Sequence, residues 1–224
     1  MNIENIKIEK IIRTNRKSVA LQITERATLI VRAPRKMKNC EIFHIISRHK
    51  KWIEKKIEEV KTAIPAPKQF VEGEKFLYLG KFYPLKIVTG QNVPLKFDNA
   101  FLLSQNVLTD AKNIFSAWYK YQAKKLIPER VEYYSQKHNF KYNKINITNA
   151  KKRWGSCSSK GNLNFSWYLI MAPIAVIDYV IIHELVHLIE KNHSKNFWKK
   201  VEQLMPDYKK YHLWLKEHKY MLTL

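Results

Sequence analysis

The chain has 224 residues and a formal net charge of +22 at pH 7, because 41 Lys and Arg outnumber 19 Asp and Glu. Its hydrophobic content of 46% is that of a globular protein, and no apolar run is long enough to span a bilayer. Two distant cysteines, Cys40 and Cys157, exclude a disulfide framework, and the polar N-terminus lacks a secretory signal. We therefore expect a cytoplasmic protein that does not enter a membrane.

The N-terminal third predicts strands followed by one helix. Residues 18–23 and 27–33 are rich in β-branched side chains and are separated by a short polar turn. From about 40 to 61 the apolar residues recur at helical spacing, which predicts an amphipathic helix. The segment 63–67 contains two prolines and predicts a stiff connector.

The middle of the chain changes from strand-like to helical sequence. Residues 75–79 and 82–88 predict a hairpin around a glycine-containing turn, with more strand-like sequence to about Leu103. From 109 to about 137 the apolar spacing is helical, and Pro128 is expected to kink or divide that helix.

The last third predicts a small sheet and then helices. Strand-like runs cover 144–148, 152–157 and 162–169. Ala172-Pro173 then begin an apolar helix, since proline suits a first helical turn, and Pro206 is expected to open the final helix.

Within the apolar helix, His183-Glu184-Leu185-Val186-His187 forms the H-E-x-x-H pattern. Residues four apart share one helix face, so His183 and His187 can reach one metal ion. Zinc is the expected ion, because it accepts neutral imidazoles and keeps an open position when three protein ligands are present. Glu184 then flanks the metal-bound water as a general base. Such polar groups in an apolar helix are costly unless paired or metal-bound, which argues against coincidence.

His193 stands at the position of the third histidine in the longer H-E-x-x-H-x-x-G-x-x-H pattern. Glu190 replaces the glycine, so we expect the helix to end at Lys191-Asn192, where Asn tolerates the left-handed conformation. Ser194 then caps a new helix and leaves His193 on the connecting turn, free to face the metal. The alternative is an exposed loop histidine, with Glu190 or a later carboxylate as the third ligand.

Further motifs accompany the histidines. They are Arg153-Trp154-Gly155-Ser156-Cys157-Ser158, Asn192-His193-Ser194, Phe197-Trp198, Ala33-Pro34 and Trp52-Ile53. With the H-E-x-x-H helix they resemble, over nearly the whole chain, the YgjP-like metal-dependent hydrolases, minimal zincins related to the SprT-like proteases. The resemblance implies zinc held by His183, His187 and His193, with Glu184 as the catalytic base. Members of that family are mostly predicted metallopeptidases, so the resemblance implies the same activity here. A nucleotide-hydrolysing role has also been proposed within the family.

The expected fold class is α+β. We expect a β-rich N-terminal region with one helix at 1–106, whose role the sequence does not show. A zincin-like catalytic domain is expected at 107–224, with a short sheet and an H-E-x-x-H active-site helix. An extended substrate could pair with an exposed edge of that sheet, either 152–157 or 162–169.

Other side chains have open roles. Arg153 could bind a substrate carboxylate or phosphate or form a structural ion pair, and Trp154 could line the site or join the core. Cys157 is expected to be a buried, unreactive thiol. Tyr211 and His212 could reach the site as electrophilic helpers, but aromatic residues at helical spacing usually pack.

Three functions remain open. The first is a zinc-dependent peptidase that acts on peptides or proteins. The second is a zinc-dependent hydrolase of nucleotide phosphoanhydrides, against which the chain lacks a glycine-rich phosphate loop. The third is a nucleic-acid-associated protein, favoured by the +22 charge, whose metal directs proteolysis or holds the fold. Against it, the lysines are spread along the chain, and a structural zinc would want a fourth ligand such as Cys157.

Overall fold

The computed structural model describes residues 2–3, 6–24 and 26–224. The chain forms two compact units, which we call the N-terminal unit (Met1–Ala66) and the C-terminal unit (Pro67–Leu224). The described residues form eleven strands in three sheets and six α-helices. The α+β fold class predicted from the sequence is therefore confirmed.

The N-terminal unit is built on a four-stranded sheet. Its strands are β1 (Asn2–Ile3), β2 (Ile6–Thr14), β3 (Ala20–Ile23) and β4 (Leu29–Pro34), in the order β1-β2-β4-β3. β2 pairs antiparallel with β1 and parallel with β4, and β4 pairs antiparallel with β3. Leu29, Val31 and Ala33 alternate along β4 and are fully buried, as expected for a strand with one face on the core.

Two helices complete this core. They are α1 (Asn39–Arg48) and α2 (Lys50–Ala63), whose Ile46 and Ile53 are fully buried in the same cluster as the strands. The sequence predicted one helix here, but the chain leaves the helical conformation at His49. No glycine or proline stands at the break, so the sequence carries no local signal for it.

The C-terminal unit begins with a second four-stranded sheet. Its strands are β5 (Lys75–Tyr78), β6 (Lys81–Val88), β7 (Leu95–Phe97) and β8 (Phe101–Ser104), in the order β5-β6-β8-β7. β6 pairs antiparallel with β5 and parallel with β8, and β8 pairs antiparallel with β7. This sheet therefore repeats the strand order and pairing senses of the first. Leu79 and Gly80 both have positive φ, as the tight turn of the β5-β6 hairpin requires.

A long helix packs against the second sheet. α3 (Ala111–His138) is one helix with Pro128 inside it, so the proline does not divide it. Phe115 of α3 stacks on Phe76 of β5, with 4.3 Å between ring centroids, and both are buried. This aromatic core joins the sheet to α3, and both lie in the compact unit that begins at Pro67. A separate catalytic domain at 107–224, after a β-rich region at 1–106, stays a prediction.

The rest of the C-terminal unit carries the histidine motif. A third sheet contains β9 (Lys144–Thr148), β10 (Gly155–Cys157) and β11 (Asn162–Ser166), in the order β10-β11-β9. It is followed by a 3-10 helix (Trp167–Met171), α4 (Ile174–Val186), α5 (Lys195–Leu204) and α6 (Tyr208–His218). β11 ends before the predicted 169, because the chain turns into the 3-10 helix. No described helix has both the length and the apolar content needed to cross a membrane.

Candidate metal centre and substrate cleft

The helix α4 holds two of the candidate site residues in a largely buried position. Ile177, Ile181 and Leu185 are fully buried on this helix. His183 and Glu184 lie in its last turn, and Glu184 is only 5% exposed. The apolar sequence that makes the helix a core element therefore also places these polar groups in an environment of low polarity.

An ion pair fixes α4 against α3. Arg130 donates from Nε to Oδ1 of Asp178 at 2.7 Å and from Nη2 to Oδ2 at 2.5 Å. The hydrogen bonds to buried Asp178 raise the pKa of Arg130, so the guanidinium stays charged. This bidentate contact restrains the helix five residues before His183.

The ring nitrogens of His183, His187 and His193 converge on one point. Their ligand atoms all lie within 4.8 Å of one another. The Nε2 atom of His193 is 2.9 Å from that of His183 and 3.2 Å from that of His187. Zinc–imidazole bonds of about 2.0–2.1 Å in tetrahedral geometry separate ligand nitrogens by about 3.3 Å. The two separations from His193 are close to this value, so the three imidazoles could hold one metal ion. Among the described residues this is the one such group of potential metal ligands.

The surroundings of the imidazoles favour their neutral form, which is the form that binds a metal. Burial, followed by the charge of His187, lowers the pKa of His183 to about 3. Burial also lowers the pKa of His187. The Nδ1 atom of His187 lies 2.9 Å from the carbonyl oxygen of Glu190, an acceptor that holds the proton on Nδ1 and leaves Nε2 for the metal. Nδ1 of His183 is buried without a partner in the structure.

The turn after α4 differs from the expected one. The helix ends at Val186, earlier than Lys191-Asn192, and Asn192 is not among the described residues with positive φ. The amides of Leu188, Ile189 and Glu190 donate to carbonyls of the last helical turn, so the chain continues in a tight turn, and the His187 ring contacts the Glu190 carbonyl there. Glu190 thus contributes its backbone, and its carboxylate is not part of the metal-ligand group.

His193 is presented by the start of α5. The hydroxyl of Ser194 accepts a hydrogen bond from the Phe197 amide at 3.2 Å, which makes Ser194 the N-cap expected from the sequence. The His193 ring stacks on Trp198, with centroids 5.6 Å apart and planes at 22°. Capping and stacking together orient an otherwise exposed histidine toward the two histidines of α4.

Glu184 lies between the histidines and the third sheet. Burial raises the pKa of Glu184 to about 8, and the nearby charge of Arg153 opposes the rise. Its Oε2 atom is buried without a hydrogen-bond partner in the structure. A Cβ atom on Gly155 would lie 2.5 Å from Oε1 of Glu184, so this position in β10 has room for glycine alone. The sequence did not single out Gly155 for this reason, because the contact joins residues far apart in the chain.

A cleft of about 340 Å³ opens beside this carboxyl group. Trp154, predicted as core or site, lines it, while Arg153 is exposed and acts on Glu184 through its charge. His212 also lines the cleft, and its Nδ1 atom is 3.0 Å from the hydroxyl of Tyr179. Burial raises the pKa of Tyr179, so the phenol stays protonated and can donate a hydrogen bond to Nδ1 of His212.

Sequence reasoning passed over some cleft residues. Tyr179 precedes His183 by four residues and therefore shares its helix face, a signal that was available in the sequence. Lys216 and Lys219 line the cleft without any motif that marks them. Tyr211, predicted as packing, is half-buried against the main core.

The third sheet has one edge next to Glu184. β11 is hydrogen-bonded on both sides, to β10 and β9, so it is not an edge strand. β10 pairs with β11 alone among the described strands, and its Gly155 lines the cleft. Of the two strands that the sequence offered as a substrate-binding edge, only the one within 152–157 is an edge strand among the described strands. Cys157 at the end of β10 is half-buried, and burial raises the pKa of its thiol.

Three converging imidazoles on and after an H-E-x-x-H helix, beside a buried carboxyl group, are typical of metal-dependent hydrolases. The model of the YgjP-like metallopeptidase domain family matches residues 17–218. The chain therefore belongs to the YgjP-like family, and the resemblance inferred from its motifs is confirmed.

Two further comparisons complete this result. No curated protein matches the chain. Among solved structures, the crystal structure of the metallopeptidase zymogen of Pyrococcus abyssi abylysin is similar, with 21% sequence identity and a TM-score of 0.37. That match covers 41% of this chain and 94% of the abylysin chain. The family assignment rests on the domain match over 17–218.

Proposed function

We propose that this protein is a zinc-dependent metallopeptidase whose reaction centre lies at the end of α4. The observation that carries the proposal is the convergence of three imidazole nitrogens beside the buried carboxyl group of Glu184. Peptidase chemistry is favoured over other hydrolysis by the membership in a metallopeptidase family.

His183, His187 and His193 would hold the zinc ion. Three neutral imidazoles suit zinc, and no described fourth side chain joins the group, so a coordination position stays open as in catalytic sites. Cys157, the alternative fourth ligand of a structural site, is outside the group. When bound, zinc would acidify a water molecule and polarise the scissile carbonyl.

Glu184 would act as the general base and then the general acid. In its ionised form, the Glu184 side chain would take the proton of the attacking water and deliver it to the leaving amine. Gly155 gives this carboxyl group its room, so the glycine positions Glu184 without touching substrate.

The edge of β10 that pairs with no described strand would bind the substrate backbone in an extended conformation. Trp154 would contact a substrate side chain in the cleft, and the exposed Arg153 would bind an anionic group. His212, held through Nδ1 by Tyr179, can donate from Nε2 to the carbonyl oxygen that gains charge.

The test begins with metal content of the untagged protein. We expect about one zinc per chain, and loss of that zinc in His187→Ala. The zinc-loaded protein is then incubated with a proteome-derived peptide library and, separately, with nucleoside triphosphates.

Glu184→Gln provides the matched control. It should keep zinc but lose peptide cleavage about a thousandfold, the usual contribution of acid–base catalysis. Protein that neither contains nor rebinds zinc, or Glu184→Gln protein that remains active, would overturn the proposal. Hydrolysis of nucleotides without peptide cleavage would show that the substrates are phosphoanhydrides and not peptides.

A further inference from the structure

One face of α6 lines the cleft next to the histidines. The residues concerned are His212, Leu215 and Lys216 of the helix and Lys219 at its C-cap, at positions i, i+3, i+4 and i+7. This spacing places them along a single helix face. They line the same cleft as His183 and Glu184, so whatever enters that cleft meets two lysine side chains.

The positive charge of this face is not neutralised. Among the residues that the structure describes, neither Lys216 nor Lys219 forms an ion pair. The ammonium group of Lys219 lies 4.5 Å from the centre of the Tyr220 ring. By contrast, Lys209 at the start of the same helix pairs with Glu202 at 3.2 Å. The two cleft lysines are therefore free to bind an anion.

The remaining lining of the cleft strengthens this field. Trp154, Val180 and Leu215 give it an apolar surface, and Glu184 is the one carboxyl group among the lining residues. Positive groups beside an apolar wall attract anions more strongly than the same groups in open solvent. A peptide that suits this cleft combines an apolar side chain with a negative group.

We propose that the cleft binds a carboxylate of the peptide substrate through Lys216 and Lys219, and so selects sites near an acidic side chain or a free C-terminus. This inference rests on the proposed peptidase function and adds its substrate class.

Binding is measured first, in zinc-loaded Glu184→Gln protein, so that turnover does not interfere. Three probes are compared by calorimetry. The first is N-acetyl-Leu-Phe-Glu-Leu amide, which carries an acidic side chain. The second is N-acetyl-Leu-Phe-Gln-Leu with a free C-terminal carboxylate, and the third is the same Gln peptide as a neutral C-terminal amide. We expect at least one charged probe to bind about tenfold more tightly than the neutral one, and the probe that does so identifies the source of the carboxylate.

Three single substitutions locate the effect. Lys216→Glu and Lys219→Glu reverse one charge each and should abolish the preference for the charged probe. Lys216→Gln only removes the charge and should reduce that preference several-fold. Lys210→Glu is the matched control, because Lys210 is exposed on the same helix but does not line the cleft. Equal binding of all three probes, no binding of any, or the same loss in Lys210→Glu would overturn the inference.

Cleavage of the proteome-derived library separates this inference from the function beneath it. Wild-type protein should cut next to acidic residues or near C-termini, and Lys216→Glu should lose that preference while cleavage continues. Cleavage without such a preference would end the inference and leave the peptidase intact. No cleavage by zinc-loaded wild-type protein would end both.

Discussion

The two four-stranded sheets have the same connectivity but different surroundings. In each, the second strand pairs in parallel with the fourth, and the first and third strands pair antiparallel at the two edges. The sheet of the N-terminal unit encloses a core of its own with α1 and α2. The β5–β8 sheet instead belongs to the core that contains α3 and α4.

One hairpin turn shows how the second sheet supports the candidate site. The amides of Leu79 and Gly80 donate to the carbonyls of Ile170 and Met171, at 3.0 and 2.8 Å. A Cβ atom on Gly80 would lie within 3.0 Å of three Pro173 atoms, just before α4 begins. The turn therefore fixes the start of α4, whose last turn carries His183 and Glu184.

The comparison teaches that strand topology does not determine function. The same sheet arrangement packs with α1 and α2 in one unit, and in the other it supports the helix that carries the histidine motif. All candidate ligands and cleft residues lie in the C-terminal unit. The function depends on the side chains that a fold positions, and strand connectivity alone does not indicate a function.

The largest effect that would test this separation is a cavity in the N-terminal core. Ile46→Ala removes a fully buried side chain and should lower the free energy of unfolding by about 3 kcal/mol. We expect unchanged zinc content and peptide cleavage under conditions where the variant stays folded. Urea denaturation and initial rates measure both. A lower kcat in the folded variant would show that the N-terminal unit contributes to catalysis.

A methyl group on Gly155 should produce the opposite pattern. Gly155→Ala would push the Glu184 carboxyl group from its place and reduce kcat about a hundredfold, about 2.7 kcal/mol, as expected for a misplaced catalytic group. Zinc stoichiometry should not change. Ser156→Ala, one residue further along β10, is the control and should keep most activity. Full activity in Gly155→Ala would remove the positioning role of the glycine.

The smallest expected effect concerns the cap next to His193. Ser194→Ala loses the hydrogen bond from the Phe197 amide and should reduce stability by about 1 kcal/mol. Zinc affinity should fall as well, because the cap fixes the residue that follows His193. Ser194→Asp, which can also cap, should retain both properties. Thermal melting and competition with a zinc chelator provide the measurements, and unchanged affinity in Ser194→Ala would separate the cap from the metal centre.

Much of the candidate site could be predicted from the sequence because its parts are local. His183 and His187 lie one helical turn apart, and Ser194 caps the helix that follows His193. Apolar periodicity and turn residues likewise gave most of the strands and helices. The same reasoning misplaced the end of α4, because apolar residues continue past Val186 and give no local signal for the turn that the backbone forms there.

The sequence by itself predicted the α+β class, the family and the three histidines as candidate metal ligands, because each prediction depends on residue types at short spacing. Only the tertiary structure decided that Gly155 lies against Glu184, that Tyr179 reaches His212, and that Lys216 and Lys219 line the cleft. It also decided where the two compact units divide. These features join segments distant in the chain, and packing between elements leaves no periodic signal in either segment.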